Sequence, residues 1–172
     1  MVSMVDSYRF LDGVPKRMMR SLVRHWSSLP AVGPIPWTPL AKPLHQCTVA
    51  LVSTAALALK CDHPFDLQIE SLDPWTSDPS YRALPRNTRT GEVQVCHLHI
   101  NPTFARQDLN CVMPLDRLTE LVALGEVGDS APSHYSYVGY TLRPERLLHE
   151  TVPSIIERMQ QQRVDAVVLV PV

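Results

Sequence analysis

Residues 47–57 read CTVALVSTAAL, and this stretch decides the fold. Its first half is a run of apolar, partly β-branched side chains, and its second half turns to small and hydroxylated residues. That profile is typical of a parallel strand that is buried on both faces and ends in a loop. We therefore expect a central strand, with Ser53 and Thr54 at the sheet edge where ligands bind in open α/β folds.

Two further apolar runs predict strands of the same kind. They are VQVCHLHI at Val93–Ile100 and DAVVLVPV at Asp165–Val172. Between them, apolar residues recur at helical spacing in Leu115–Leu124 and in Pro144–Gln162. Strands that alternate with helices predict an α/β fold, with a mostly parallel open sheet flanked by helices.

The N-terminal part has a different character. Residues Asp6–Trp26 carry apolar side chains on one helical face and arginines on the other, which predicts a helix. A proline-rich connector follows at Leu29–Pro43, in a chain with 16 prolines among 172 residues. We predict residues 1–45 as this helix and connector, and residues 46–172 as the α/β domain.

Composition excludes several classes of protein. The 16 basic and 17 acidic side chains give a net charge of -1, and this balance argues against a nucleic-acid partner. No apolar stretch is long enough to span a membrane, and Met1–Phe10 lacks the pattern of a secretory signal. These features predict a cytoplasmic protein whose partner is a small molecule or another protein.

The four cysteines do not form a recognisable motif. Cys47, Cys61, Cys96 and Cys111 are widely spaced, and no C-x-x-C is present. In a reducing compartment this spacing indicates free thiols that are buried or idle.

Histidines alternate at the end of the second predicted strand. His97 and His99 are two residues apart, so on a strand they would share one face. They could bind a metal only with a further ligand, such as Asp108, His134 or His63. Otherwise they would hydrogen-bond a substrate or neighbouring loops, and we predict no metal site.

Two hydroxyl side chains follow the first predicted strand. Ser53 and Thr54 could donate to an anionic substrate, and Ser53 could equally cap the next element. The segment lacks the glycine patterns of dinucleotide-binding and P-loop proteins, which excludes both of these protein classes.

Several segments resemble, in the same order, one enzyme family. They cover most of the chain from Arg24 to Val172 and are similar to the glycine/sarcosine/betaine reductase selenoprotein B family, which includes the selenoprotein subunit of D-proline reductase. The segments are RHWSSLPAVGPIPWTPLAKPL, VALVSTAALALKCDHPFDL, DPSYRALP, HLHINPTFARQDLNCVMPLDRLTELVALGEVG, SAPSHYSYVGYT and VDAVVLVPV.

The resemblance implies an oxidoreductase that cleaves a carbon–nitrogen bond of a small amino acid or amine, of the glycine, betaine, sarcosine or D-proline type. A selenolate would be the nucleophile, because a chalcogenide of low pKa is ionised at neutral pH. The resemblance also implies a partner subunit that carries a pyruvoyl group, and a dithiol or thioredoxin-type reductant.

The resemblance also implies roles for particular residues. His97 or His99 would protonate the departing nitrogen, and Asp108 would orient a histidine. The substrate-binding positions would be Ser53, Thr54, Asn110 and His134.

One departure from the family stands at the C-terminal side. In relatives the strand that matches DAVVLVPV runs into a loop that bears selenocysteine or cysteine, followed by a Cys-His pair. Here the sequence ends at Val172. We expect that the chain is a truncated reading of a longer selenoprotein, with a sheet incomplete at the C-terminus. It would hold no cofactor itself, and would be inactive without the selenocysteine or cysteine just beyond Val172.

Two alternatives stay open at this point. The chain could be a non-catalytic binding or assembly subunit of such a complex. It could also be a metal-dependent enzyme that uses His97 and His99.

Overall fold

The computed structural model describes residues 38–73, 75–141 and 143–172. Contacts within the chain divide it into two units, Met1–Pro39 and Leu40–Val172, and the elements below belong to the second. The helix predicted at Asp6–Trp26 lies outside the described residues, as does most of the proline-rich connector. The predicted division at residues 45 and 46 stays a prediction.

Short strands and helices alternate along the second unit. The strands are β1 (Thr48–Ser53), β2 (Leu57–Leu59), β3 (Tyr81–Pro85), β4 (Val93–Val95), β5 (Asp129–Ser130), β6 (Ser133–Tyr137) and β7 (Ala166–Val170). The α-helices are α1 (Gln68–Leu72), α2 (Pro102–Gln107), α3 (Leu115–Ala123) and α4 (Val152–Gln161). A π-helical turn at Leu147–Thr151 leads into α4, and 3-10 turns lie at Leu44–Gln46, Thr90–Glu92 and Leu109–Cys111.

The main sheet is built around β1. Strand β7 runs parallel to β1 along Val49–Ser53, so β5 and β6 pair with the opposite edge of β1, and both are parallel to it. Strand β3 adds to β6 in the antiparallel sense. The predicted central strand and the predicted mostly parallel α/β sheet are therefore confirmed.

Alternate residues of β1 build two cores, one on each face of the sheet. One cluster contains Val49, Leu51, Leu115 and Leu118, the last two from α3. The other contains Ala50, Val52, Ile155 and Met159, the last two from α4. Because both faces are covered by helices, β1 needs apolar side chains at consecutive positions, which is why its sequence does not alternate.

Both helices predicted between the second and third apolar runs are present. The stretch Leu115–Leu124 forms α3, and Pro144–Gln162 contains the π-helical turn and α4. Part of each apolar stripe faces the sheet, through Leu115 and Leu118 on α3 and through Ile155 and Met159 on α4. Leu121 and Ile156 are exposed.

The prediction for Val93–Ile100 is wrong in its second half. Only Val93–Val95 form a strand, and β4 pairs with β2 in a separate two-stranded antiparallel sheet. The Cys96 amide donates to the Ala56 carbonyl at 2.9 Å, after which the chain turns at His97–His99. The run is apolar because β4 packs on the same core as β1, not because it lies inside a parallel sheet.

The prediction for Asp165–Val172 is right about the strand and wrong about its burial. Within the described residues, β7 pairs with β1 along one edge. Val167, Val168 and Leu169 are exposed, Leu169 by 72%. This strand is therefore an edge strand with an apolar surface.

Strand β6 was not predicted from the sequence. Its residues pair in parallel with the end of β1. None of the helices in the described residues is long and apolar enough to cross a membrane.

Candidate functional site

The carboxyl ends of three parallel strands meet just after β1. The Thr54 amide donates to the Val170 carbonyl of β7 at 3.2 Å, and the Gly139 amide donates to the Thr54 carbonyl at 3.0 Å. Gly139 can come this close because a Cβ at its position would lie 2.5 Å from the Cβ of Thr54. This edge is where open α/β sheets present side chains to ligands.

The turn that carries His97 and His99, called the histidine turn below, lies next to this edge. It follows the hydrogen bond between Cys96 and Ala56, two residues beyond Thr54. The ring of Tyr140, which follows Gly139, lies 4.2 Å from the ring of His99. The two histidine rings meet edge-on at 5.8 Å. His97 and His99 thus lie near the carboxyl edge, and their predicted role stays a prediction.

The main partner of His99 was not predicted from the sequence. Its Nε2 is in hydrogen-bond contact with the Oε1 of Glu70, and the two side chains are only 11% and 10% exposed. Glu70 lies in α1, 29 positions away in sequence, and no local pattern marks it. Tyr140 was likewise not among the site residues predicted from the sequence.

His97 plays a different part from His99. Its Nδ1 accepts the backbone N–H of His99 at 3.1 Å, so in the neutral ring the proton lies on Nε2. Burial, and secondly the charge of His99, lower the pKa of His97 to about 4. His97 is therefore a neutral hydrogen-bond donor near pH 7, and of the two candidate acids His99 is the one with a carboxylate partner.

His134 lies inside the sheet and not on a pocket wall. Its side chain is fully buried on β6, where Nδ1 accepts the Leu51 amide at 3.0 Å and Nε2 lies 3.1 Å from the Ser130 hydroxyl. Burial lowers its pKa to about 4, and the charge of Arg86 acts in the same direction. The structure thus corrects its predicted substrate-binding position, because the ring joins β6 to β1 and offers no exposed surface.

The two hydroxyl residues after β1 are engaged within the protein. Ser53 is fully buried, and its Oγ accepts the Ala55 amide at 3.2 Å, which is the capping role considered as the alternative. The Oγ1 of Thr54 accepts the Val172 amide at 2.9 Å and thereby holds the end of β7. Both residues lie at the predicted edge, with Ser53 closed off from solvent.

Asp108 and Asn110 belong to a hydrogen-bonded turn before α3. The carboxylate of Asp108 accepts the Asn110 backbone amide at 2.9 Å and its side-chain amide at 2.8 Å, and these bonds lower the pKa of Asp108. Asn110 in turn receives the Asp116 amide at 3.0 Å. Asp108 thus caps this turn, and its predicted role of orienting a histidine remains a prediction. Asn110 borders a cavity of about 280 Å³ that it shares with Thr90 and Asp116.

A second cavity of about 280 Å³ is bordered by α1 and by the segment after β6. Its wall includes Ile69, next to Glu70, together with Val138 and Thr141 on the segment that carries Tyr140. Charged side chains of both signs line the same wall, namely Arg143, Arg146, Asp78 and Glu145. This cavity has room for a small molecule and borders the elements that carry Glu70 and Tyr140.

The remaining groups to consider are possible metal ligands and the cysteine thiols. Within residues 38–73, 75–141 and 143–172, no three His, Cys, Asp or Glu side chains converge as metal ligands. All four cysteines are free, and two of them, Cys47 and Cys96, are buried. Burial raises the pKa of Cys96, which opposes its use as a thiolate nucleophile.

The fold and the site together define an α/β protein that gathers ionisable side chains at the carboxyl edge of a mostly parallel sheet. The chain belongs to the glycine/sarcosine/betaine reductase selenoprotein B family, whose model matches residues 9–172. The resemblance identified in the sequence is therefore confirmed.

Two curated relatives are similar over much of this chain. One is D-proline reductase subunit gamma of Acetoanaerobium sticklandii, 30% identical over 141 residues, or 82% of this chain and 55% of the relative. The other is glycine reductase complex component B subunit gamma of Carboxydothermus hydrogenoformans, 28% identical over 111 residues, or 64% of this chain and 25% of the relative. The chain thus matches about half of the first relative and a quarter of the second. No solved structure matches it.

Proposed function

We propose that this chain is the substrate-handling part of a reductase that cleaves a carbon–nitrogen bond of a small amino acid or amine, with a dithiol as reductant. Two kinds of observation support the proposal. The family and the names of the relatives point to reductases of D-proline and glycine. The cluster of His97, His99, Glu70 and Tyr140 supplies proton-transfer chemistry. A cavity of about 280 Å³ borders α1 and the segment after β6, which carry Glu70 and Tyr140.

The pairing of His99 with Glu70 is the observation that carries this proposal. Cleavage of a carbon–nitrogen bond leaves an electron pair on nitrogen, which takes up a proton. In our proposal His99 gives that proton, while neutral His97 donates a hydrogen bond from Nε2. The predicted choice between the two histidines is thereby narrowed to His99.

The nucleophile is the second part of the proposal. A selenocysteine or cysteine beyond Val172 would supply an ionised chalcogenide, and a partner subunit could supply a pyruvoyl group that holds the substrate. In support, Thr54 holds the Val172 backbone at the same edge as the histidine turn. The four free cysteines are compatible with a reducing, cytoplasmic setting.

A second candidate function is that of a binding or assembly subunit. The exposed apolar side chains of β7 favour it, because apolar edge strands are commonly covered by other segments or partners. In that case the reductase chemistry would be carried by another polypeptide.

The deciding experiment begins with the nucleotide sequence after the codon for Val172. We expect UGA followed in frame by a Cys-His pair. The protein from the complete reading frame, expressed with selenocysteine, should then consume D-proline, glycine, sarcosine or betaine with dithiothreitol as reductant, alone or with its partner subunit.

The outcomes separate the two candidates. Substrate loss that disappears in His99→Gln supports the reductase. A different stop codon, with an adjacent separate reading frame that encodes the Cys-His loop, supports the assembly subunit and overturns the first proposal.

A further inference from the structure

We infer that Glu70 is a positioning residue, which fixes the ring orientation and the proton location of His99. The catalytic consequence of this inference rests on the function proposed above, whereas its structural part stands independently. Glu70 does not have to touch substrate for this role, because it acts through His99.

The pair of Glu70 and His99 is largely removed from water. The side chains of Glu70 and His99 retain only about a tenth of their full exposure. A charge removed from water is costly unless it is paired, so a carboxylate at this depth is most stable against a cationic or N–H partner. The contact between Oε1 and Nε2 supplies that partner.

The His99 ring is held from several directions. Glu70 meets its Nε2, and Tyr140 lies over it at 4.2 Å with an interplanar angle of 42°. The His97 ring approaches edge-on, and its Nδ1 accepts the backbone N–H of His99. A ring restrained at its nitrogen, its face and its backbone has few alternative rotamers, and such preorganisation is what proton transfer at a fixed point requires.

His99 differs in its hydrogen bonding from two other buried histidines, His97 and His134. Nδ1 of His97 and Nδ1 of His134 each accept a backbone N–H, which keeps the protein-facing nitrogen deprotonated. His99 instead presents Nε2 to a carboxylate, an acceptor that places the proton on that nitrogen. The same residue type therefore accepts a backbone N–H at two positions and faces a carboxylate at the third.

Glu70 thus corresponds in role to the carboxylates that orient histidines in other proton-transfer sites. Such a group selects one tautomer and stabilises the imidazolium form without itself giving up a proton to substrate. Loss of the carboxylate should change the tautomer and the rate of chemistry more than it changes the binding of substrate.

The structural part can be tested by NMR on the protein from its complete reading frame, labelled with ¹⁵N-histidine. Long-range ¹H–¹⁵N spectra report which ring nitrogen carries the proton. We expect Nε2 of His99 to be protonated in the wild type. In Glu70→Gln the side-chain amide can donate to Nε2, so the proton should move in part to Nδ1. Glu70→Asp should retain the wild-type pattern in part.

A matched control uses an acidic residue outside the site. Glu120 forms an exposed pair with Arg117 on α3, and Glu120→Gln should leave the His99 spectrum unchanged. A His99 tautomer that is the same in the wild type and in Glu70→Gln would overturn the inference, as would an identical change in Glu120→Gln.

Kinetics test the catalytic consequence. We expect Glu70→Gln to lower kcat on the order of 10- to 100-fold with KM changed less than about threefold, and Glu70→Asp to recover part of kcat. A large rise in KM at constant kcat would overturn the positioning role. If the wild-type protein reduces none of the four substrates, the proposed function fails, and the NMR result still decides whether Glu70 positions His99.

Discussion

Strands β1 and β7 are neighbours in one sheet with similar sequences and opposite surroundings. The apolar core of β1 reads VALV and that of β7 reads AVVLV. Yet Leu51 on β1 is 2% exposed and Leu169 on β7 is 72% exposed. The comparison teaches that an apolar, β-branched run predicts a strand but not its place in the sheet, because its place depends on what packs against it.

The largest effect expected from this comparison is on core packing. Leu51→Ala should lower the free energy of unfolding by about 2–5 kcal/mol, because it leaves a cavity between the sheet and α3. Leu169→Ala should change it by less than about 0.5 kcal/mol. Urea unfolding of both variants measures the difference. Equal losses would break the comparison and show that Leu169 is covered in solution.

The close approach after β1 should give the next largest effect. A Cβ on residue 139 would lie 2.5 Å from the Cβ of Thr54, so Gly139→Ala should cost about 1–3 kcal/mol through overpacking. Gly91→Ala is the matched control, since a Cβ there meets nothing within 4 Å. Thermal unfolding of the two variants tests this, and a Gly139→Ala protein as stable as Gly91→Ala would contradict the geometry.

The hydrogen bond from the Leu51 amide of β1 to the His134 ring of β6 should make the free energy of unfolding depend on pH. Burial lowers the pKa of His134 to about 4, below the value of 6.5 for an unfolded chain. Between these values the unfolded state binds more protons than the folded state. The stabilisation that neutral His134 gives the folded state is therefore complete above pH 6.5 and is lost as the pH falls towards 4. We expect about 3 kcal/mol to be lost over this window.

Measurement of the unfolding free energy at several pH values between 4 and 7 tests this expectation. His134→Gln should flatten the profile, and the exposed His45→Gln should not. His97 contributes in the same direction, because its pKa is also lowered to about 4. A profile that is unchanged in His134→Gln would show that this histidine does not stabilise the sheet as a neutral ring.

The smallest expected effect is on the hydrogen bond that holds the chain just after β7. Thr54→Val keeps the shape of the side chain but removes the hydroxyl that accepts the Val172 amide. A hydrogen bond of this kind is worth about 0.5–1.5 kcal/mol. Hydrogen exchange should show faster exchange of the Val172 amide in the variant, with β1 amides unchanged. Equal protection in both proteins would mean that Thr54 does not hold this strand end.

Sequence patterns were sufficient where burial is periodic or continuous. The run at Cys47–Leu57 led to the central strand, and the apolar spacing of 115–124 and 144–162 led to the two flanking helices. The patterns failed at Val93–Ile100, where an apolar run supports an antiparallel strand and then a turn. The two strand types bury similar residues, so composition does not distinguish them.

The predicted site residues differ in where the structure places them. His97 and His99 do lie at the carboxyl edge near Thr54, whereas Ser53 and His134 are enclosed in the sheet. Glu70 was missed because its partner lies 29 residues further along the chain. Chemistry that depends on a pair distant in sequence leaves no local pattern.

By itself, the sequence determined the α/β class, the central strand, the flanking helices and the family. These follow from local periodicity and from motifs in a fixed order, which neighbouring residues carry on their own. Only the tertiary structure decided that β7 is exposed, that His134 is neutral and enclosed, and that Glu70 meets His99. Each of these depends on which distant segments touch, and that is set by the packing of the whole sheet rather than by any one stretch of chain.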